Sequence, residues 1–447
     1  MRKSCRFRVL FFVLLIFVLT AVQVFAENAP GYYLNAERYT LSNGLTVIVK
    51  NRASGGQVLA NMWVRAGSYH EEDRYAGIAH FLEHMIINRG TENIAPGDLP
   101  KMVNRIGGEQ NGATSHDKTD YYIQGNRSDL ELILNLIAEM CFRPTFAQEQ
   151  IDEERPVIEE EILRAQNSAD QQLFEAMKAE LFKGTNYSRS IAGTRETVGN
   201  CDTQAFKDFH SRYYQPNNMV LVLVGDVRGA EVMPLVKEIF GGFAPGEVPD
   251  EPVANVEVPT KPVVLKVECD DLTAGTAQAM MSFSIPPTEV RESAALDLLA
   301  EAFCGGSYSI LKEAYASSSD ITSIDCSYLE FHNSAMFSFE ITGPAKKINA
   351  FERNLKTSVN RLFNQIESSR LEKAKQRMKT MIAFEAETLY GLARTLGTAE
   401  VSCNDIEHFQ KYLQAIDELT ASEIKEIAKK YFNPKSYIMI IYYNPAR

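Results

Sequence analysis

The chain has 447 residues, of which 45% are apolar, 23% charged and 10% aromatic. That is enough to bury an ordinary core without metal or disulfide staples, and it excludes general disorder. The formal net charge of −12 lacks the basic excess of a bulk nucleic-acid binder, so no nucleic-acid partner is expected. Only one segment, near the N-terminus, approaches the apolar length of a membrane span, which excludes a polytopic membrane protein.

In chain order, Arg2, Lys3, Arg6 and Arg8 precede the apolar stretch Val9 to Val22, and Val24-Phe25-Ala26 offers a small-residue cleavage site before Glu27. This pattern predicts a secretory signal peptide over residues 1–26. The alternative is an uncleaved N-terminal membrane anchor. Cleavage leaves 42 basic and 58 acidic residues, a balance of −16. The expected destination is the periplasm, with no membrane attachment after cleavage. Six cysteines remain, without CxxC spacing, so disulfides are permitted but no zinc ribbon or redox motif is indicated.

Tyr39 to Lys50 alternates around Asn43-Gly44 and reads as a β-hairpin. Val58 to Val64 is a second strand run. A helix starts near Gly77, and others are predicted near 97–107, 128–142, 147–166 and 169–183. Tyr214-Gln215-Pro216 leads into the apolar strand Met219 to Val224, and 218 residues later Phe432-Asn433-Pro434 leads into Tyr437 to Tyr442. The same offset carries Ala60–Val64 onto Gln278–Ser282, inside the strand run Ala277 to Ile285. A repeat this long indicates a duplicated domain rather than a solenoid. Residues 244–262 hold five prolines and read as an extended linker. The expected fold class is α+β: two homologous αβ domains, 27–243 and 263–447, with helices packed on mainly antiparallel sheets.

The chemistry-bearing residues concentrate in the first half. His80-Phe81-Leu82-Glu83-His84 lies in the amphipathic stretch Ile78 to Ile87. Positions i, i+3 and i+4 share one helix face, so His80 and His84 present two imidazoles to one ion with Glu83 beside them. Zinc takes two histidines and a carboxylate and leaves a fourth position for water, whose proton a nearby carboxylate can accept. Glu83 is the candidate base. The third ligand is sought in Glu153-Glu154-Arg155-Pro156-Val157-Ile158-Glu159-Glu160-Glu161, where spacing alone leaves Glu159, Glu160 and Glu161 open. Pro156 predicts a kink there.

These motifs, with Gly107-Gly108, Asn111 to Ser115, Asp117 to Tyr122, Ile191-Ala192-Gly193-Thr194 with Glu196, and Tyr213 to Asp226, resemble the pitrilysin-type zinc metallopeptidases. The resemblance is to the two-domain branch that includes mitochondrial processing peptidase and bacterial relatives. It covers nearly all of the mature chain and is stronger in the first half. It implies one Zn²⁺ per chain held by His80, His84 and Glu161, which lies 77 residues past His84. It also implies an assisting role for Glu154, two domains facing across a chamber, and peptides or unfolded segments as substrate. Asn111, Gly112, Ala113 and Thr114 fall in its edge-strand segment, on which substrate pairs as an added strand. The Asn111 side chain either grips a substrate carbonyl or satisfies its own backbone, as turn asparagines do. His116 lacks ligand spacing, and His70, His210, His332 and His408 read as structural or surface residues.

The second half departs from the family pattern. Self-sufficient members carry an Arg and a Tyr, seven apart, soon after a Gly-Gly-Ser segment. Here Gly305-Gly306-Ser307 is present, yet the two positions fall on Ala316 and Ser323, and no arginine occurs between Arg291 and Arg353. At the 218 offset the HxxEH positions become Leu298, Glu301 and Ala302. The expectation is a zinc-bearing catalytic subunit whose homologous, zinc-free partner supplies the Arg/Tyr pair. The alternative is a non-catalytic peptide-binding or assembly subunit.

Overall fold

The computed structural model describes residues 35–250, 252, 255–315, 321–348, 350, 353 and 364–445. The signal segment and Ala316 therefore lie outside the described residues. Strands β1 (Glu37–Thr40), β2 (Thr46–Asn51), β3 (Gln57–Val64), β4 (Glu109–Thr114), β5 (Thr119–Asn126) and β6 (Met219–Gly225) form one sheet in the order β1-β2-β6-β3-β5-β4. Only the β2–β6 pair is parallel. The predicted hairpin is β1–β2, in register Arg38 to Ile48. β6 is buried along its whole length, as its unbroken apolar run requires of a strand covered on both faces.

The second sheet joins β7 (Val263–Glu268), β8 (Thr276–Ile285), β9 (Ser323–Glu330), β10 (Ala335–Pro344) and β11 (Ile438–Tyr443) in the order β7-β11-β8-β10-β9. Here too a single pair, β7–β11, is parallel. The offset of 218 places the helix Thr203–Tyr213 on Ala421–Tyr431, and places Gln148–Gln166 within two residues of Ser368–Glu385. The duplication seen in three sequence landmarks thus extends through the helices.

The halves are interlocked. The helix Leu389–Cys403 of the second half packs on β3 and β6, while Ala169–Leu181 of the first half packs on β8 and β11. Trp63, Tyr122, Val220 and Val222 consequently share a core with Leu392, Leu396 and Phe337. The opposite face of the first sheet packs on its own helices, through Met62, Tyr121 and Leu221 against Phe81, Leu82 and Ile137. Because each half inserts a helix against the other, the space left between them is a cavity of about 670 Å³.

One buried carboxylate fastens the exchanged helix. Glu400 is fully buried and pairs with Arg38 at 2.8 Å and Arg65 at 3.6 Å, both from the first half, and Arg65 also donates to the Glu400 carbonyl. Cys304 and Cys326, whose pairing the sequence left open, form a disulfide that ties the end of the helix Val290–Cys304 to β9. Removing Glu400 takes away charge-assisted hydrogen bonds each worth about 1.5–3 kcal/mol, while the part-exposed arginines left behind can turn to water. Glu400→Ala is therefore expected to lower the urea midpoint and to raise proteolytic sensitivity at the junction between the halves. An unchanged midpoint would show that the Arg38–Glu400–Arg65 cluster does not fasten them.

Candidate metal centre

The helix Ile78–Asn88 is set in place from its start. Gly77 has φ +99°, and a Cβ there would lie 2.5 Å from the Ala192 carbonyl oxygen, so the turn requires glycine. The buried Glu71 carboxylate accepts from the Gly77 and Ala79 amides at 2.9 and 2.8 Å, supplying two otherwise unbonded N–H groups with an acceptor. Ile78, Phe81, Leu82, Met85 and Ile86 are buried. His80 and His84 turn towards the helix Gln148–Gln166, and Glu83 turns towards β4.

Glu161 Oε2 stands 3.6 Å from His80 Nε2 and 3.7 Å from His84 Nε2. Donor atoms around a four-coordinate zinc stand about 3.4 Å apart, so the three fit one tetrahedral ion with little movement. They are the only such metal-ligand group among the described residues. The neighbouring carboxylates are engaged elsewhere: Glu159 pairs with Arg195 at 3.0 Å and Glu160 with Arg164 at 2.7 Å. Of the three glutamates that spacing left open, it is Glu161 that the structure sets beside both histidines. His84 Nδ1 lies 2.9 Å from Glu154 Oε1, which assigns its proton to Nδ1 and frees Nε2 to face Glu161. His80 Nδ1 is buried without a hydrogen-bond partner among the described residues.

Glu154 also accepts from Arg89 Nε at 2.6 Å, and Arg89 reaches Glu153 at 2.7 Å. Burial opposes ionisation of Glu154, but its bonds to His84 and Arg89 hold the carboxyl below its usual range. Burial and the neighbouring His84 push His80 down to about 4, a neutral imidazole suited to ligation. For His84, burial favours the neutral form, yet the Glu154 hydrogen bond and the carboxylates of Glu161 and Glu83 raise it overall. Burial pushes the Glu83 carboxyl up, against the bond it accepts from Thr114 Oγ1 at 2.7 Å.

The helix that contains Pro156 runs as one element from Gln148 to Gln166. Proline removes a single hydrogen bond, and the buried positions Ile151, Glu154, Ile158 and Ile162 keep the face packed across it. β4 is the outermost strand of its sheet, bonded only to β5. It carries Asn111, Gly112, Ala113 and Thr114. Asn111 Oδ1 accepts from the Gly112 amide at 2.9 Å, so the carbonyl end of the side chain satisfies its own backbone. His116 is buried away from the centre, bonded to Ser68 and Lys178. Arg89 was not anticipated, since its link to Glu154 spans 65 positions and leaves no local signal. Thr114, in the segment expected to pair with substrate, bonds Glu83 through its side chain.

Residues 46–195 match the family described as insulinase, peptidase family M16, and residues 200–378 match the peptidase M16 inactive domain. The chain belongs to the M16 peptidase family. It is 26% identical over 410 residues to the zinc protease PqqE of Helicobacter pylori, covering 91% of this chain and 92% of that one. It is 24% identical to a probable mitochondrial-processing peptidase subunit beta of Arabidopsis thaliana, covering 89% and 76%. A solved protease from Helicobacter pylori superposes with a TM-score of 0.82 at 25% identity, covering 91% and 99%. The periplasmic protease PqqL from Escherichia coli shares the fold, with a TM-score of 0.76 at 21% identity over 92% of this chain and 48% of that one.

Two substitutions probe this geometry. Glu154→Gln keeps the shape but weakens the hold on the His84 tautomer, and zinc affinity measured by chelator competition is expected to fall by roughly 10- to 100-fold. A Cβ at Gly112 would meet Glu83 Cγ at 3.0 Å and Ile87 Cδ1 at 2.9 Å. Gly112→Ala is accordingly expected to lower kcat with zinc content intact, and loss of zinc instead would place the disturbance at the ligands.

Proposed function

We propose that the chain is a zinc-dependent endopeptidase that hydrolyses peptides or unfolded polypeptide segments. The observation that carries this reading is the convergence of His80, His84 and Glu161 on one point, with the Glu83 carboxylate beside it. Zinc held by those three side chains supplies Lewis-acid activation of a water molecule and of the scissile carbonyl. Glu83 Oε takes the proton from the attacking water and passes it to the departing amide nitrogen, and its burial raises its basicity for that task. Thr114 fixes the rotamer of Glu83 through their hydrogen bond. Glu154 and Arg89 orient His84. The open edge of β4 takes the substrate as an added strand, which gives main-chain affinity with little demand on sequence.

The first half, 27–243, is the zinc-binding peptidase domain in this reading. The second, 263–447, is its homologue without metal, and 244–262 links them. The working enzyme is a heterodimer with a homologous, zinc-free chain that supplies the Arg and Tyr. Ser323, at the tyrosine position, opens β9, and no arginine is available between Arg291 and Arg353. Secretion to the periplasm through the signal at residues 1–26 accords with the site described for the PqqL relative.

Glu83→Gln is expected to retain one zinc per chain and to lose roughly 100- to 10,000-fold in kcat on an unfolded substrate. Cleavage is expected to need the homologous partner. Full activity of the pure monomer would overturn the heterodimer, and undiminished function of Glu83→Gln would favour a non-catalytic peptide-binding subunit.

A further inference from the structure

The two sheets differ at one edge. At the offset of 218, β2 corresponds to β7, and β6, β3, β5 and β4 correspond to β11, β8, β10 and β9. β1 has no counterpart among the described residues of the second half. Its place falls on residues 255–258, which form no strand. They belong to the linker, whose Pro252 carbonyl accepts from the Tyr69 hydroxyl at 3.0 Å and from Asn333 Nδ2 at 3.2 Å. The hairpin turn is lost as well. Pro262 stands at the counterpart of Gly44, whose φ is +86°, a value the proline ring cannot adopt. The chain therefore crosses between the halves instead of folding back, and β7 is bonded only to β11 among the described residues.

The result is an open apolar edge. Thr46, Val47 and Val49 of β2 are buried, whereas their counterparts Val264, Leu265 and Val267 are 36%, 36% and 42% exposed. Leu265 and Val267 pair with Ile440 and Tyr442, so they carry towards water the face on which Leu173 and Met177 pack. The amides of Val263 and Cys269 bond into β11, and alternation turns those of Val264, Lys266 and Glu268 outward. Such an edge is a template for pairing, and a lone lysine on it would act as a guard. Glu268, on the same face two residues along, changes that. When two β7 strands run antiparallel with Val267 opposite Val267, each Lys266 stands opposite the Glu268 of the other strand. Both positions carry outward main-chain groups, so backbone hydrogen bonds and opposite charges match in one register. The sequence of β7 is thus complementary to itself. β7 also lies at the far edge of the sheet from β9, whose Glu330 lines the cavity between the halves, so pairing there leaves that cavity open.

We propose that the outer edge of β7 pairs antiparallel with β7 of a second copy of this chain, about a two-fold axis at Val267. The interface goes beyond the peptidase reading and does not depend on it. Sedimentation velocity of the purified chain over a concentration series is expected to show a dimer. Lys266→Glu and Glu268→Lys each set like charges opposite one another across the axis. Each is expected to weaken dimerisation roughly tenfold or more. Both side chains are exposed, so neither change disturbs a packed core. Mixing the two variants is expected to restore the dimer, because every glutamate then meets a lysine. Lys207→Glu, at an exposed position of the helix Thr203–Tyr213, is expected to leave dimerisation unchanged. A monomer at every concentration would overturn the proposal and leave the edge to a strand of another protein. A dimer that survives both single variants, or one that mixing fails to restore, would place the contact elsewhere and overturn it too.

Discussion

Each sheet of this protein has two apolar faces, but the helices of its own half cover only one. That imbalance is the constraint on which the architecture depends. β6 reads MVLVLVG and is buried at every position, and the five residues Ile438 to Tyr442 of β11 are buried likewise. Left alone, a half would expose one face of its sheet to water. Exchange of Ala169–Leu181 for Leu389–Cys403 removes both faces at once, so neither half completes its core without the other. Glu400, carried into the first half and met by two arginines, makes a misregistered exchange costly, because it would leave a buried charge unpaired.

The same exchange fixes the metal centre. Only Asn167 and Ser168 separate the helix that bears Glu154 and Glu161 from the helix that crosses to the second sheet. The position of the third ligand along the first helix is therefore tied to the docking of the second. On the histidine side, the Glu71 carboxylate and the left-handed Gly77 set the start of the helix. The candidate ligands thus come from two elements that are each anchored close to the site, at the start of one helix and at the end of the other. Such anchoring keeps the donor atoms near their working separations before any ion arrives.

Much of this was legible in the sequence where the signal is periodic or local. The His80/Glu83/His84 triplet needs only helical spacing, and the 218-residue offset needs only two Pro landmarks. Glu161 was different: spacing left three adjacent glutamates equivalent and only the family resemblance pointed to Glu161, which the structure sets beside the histidines while Arg195 and Arg164 pair with its neighbours. Arg89, the Thr114–Glu83 bond and the Cys304–Cys326 bridge depend on which strands and helices meet, and no short window carries that. The helix exchange was hidden for the same reason, since Leu389–Cys403 reads as an ordinary amphipathic helix whichever half it covers.

The asymmetry between the halves follows from how each stabilises equivalent helices. At the offset of 218, Glu83 corresponds to Glu301, and the carboxylate helix Gln148–Gln166 corresponds to Ser368–Glu385. In the second half Glu301 meets Arg377 of that counterpart helix at 2.5 Å, and the Cys304–Cys326 bridge pins the helix end to β9. The Arg377 guanidinium thus joins the two helices that a metal ion would join in the first half, and the disulfide fastens one of them to the sheet. With those contacts in place, the counterparts of the histidines can be Leu298 and Ala302, both buried in the core. Among its described residues the second half keeps the scaffold without a metal-ligand group, and contributes to the first the helix that closes the cavity behind β4.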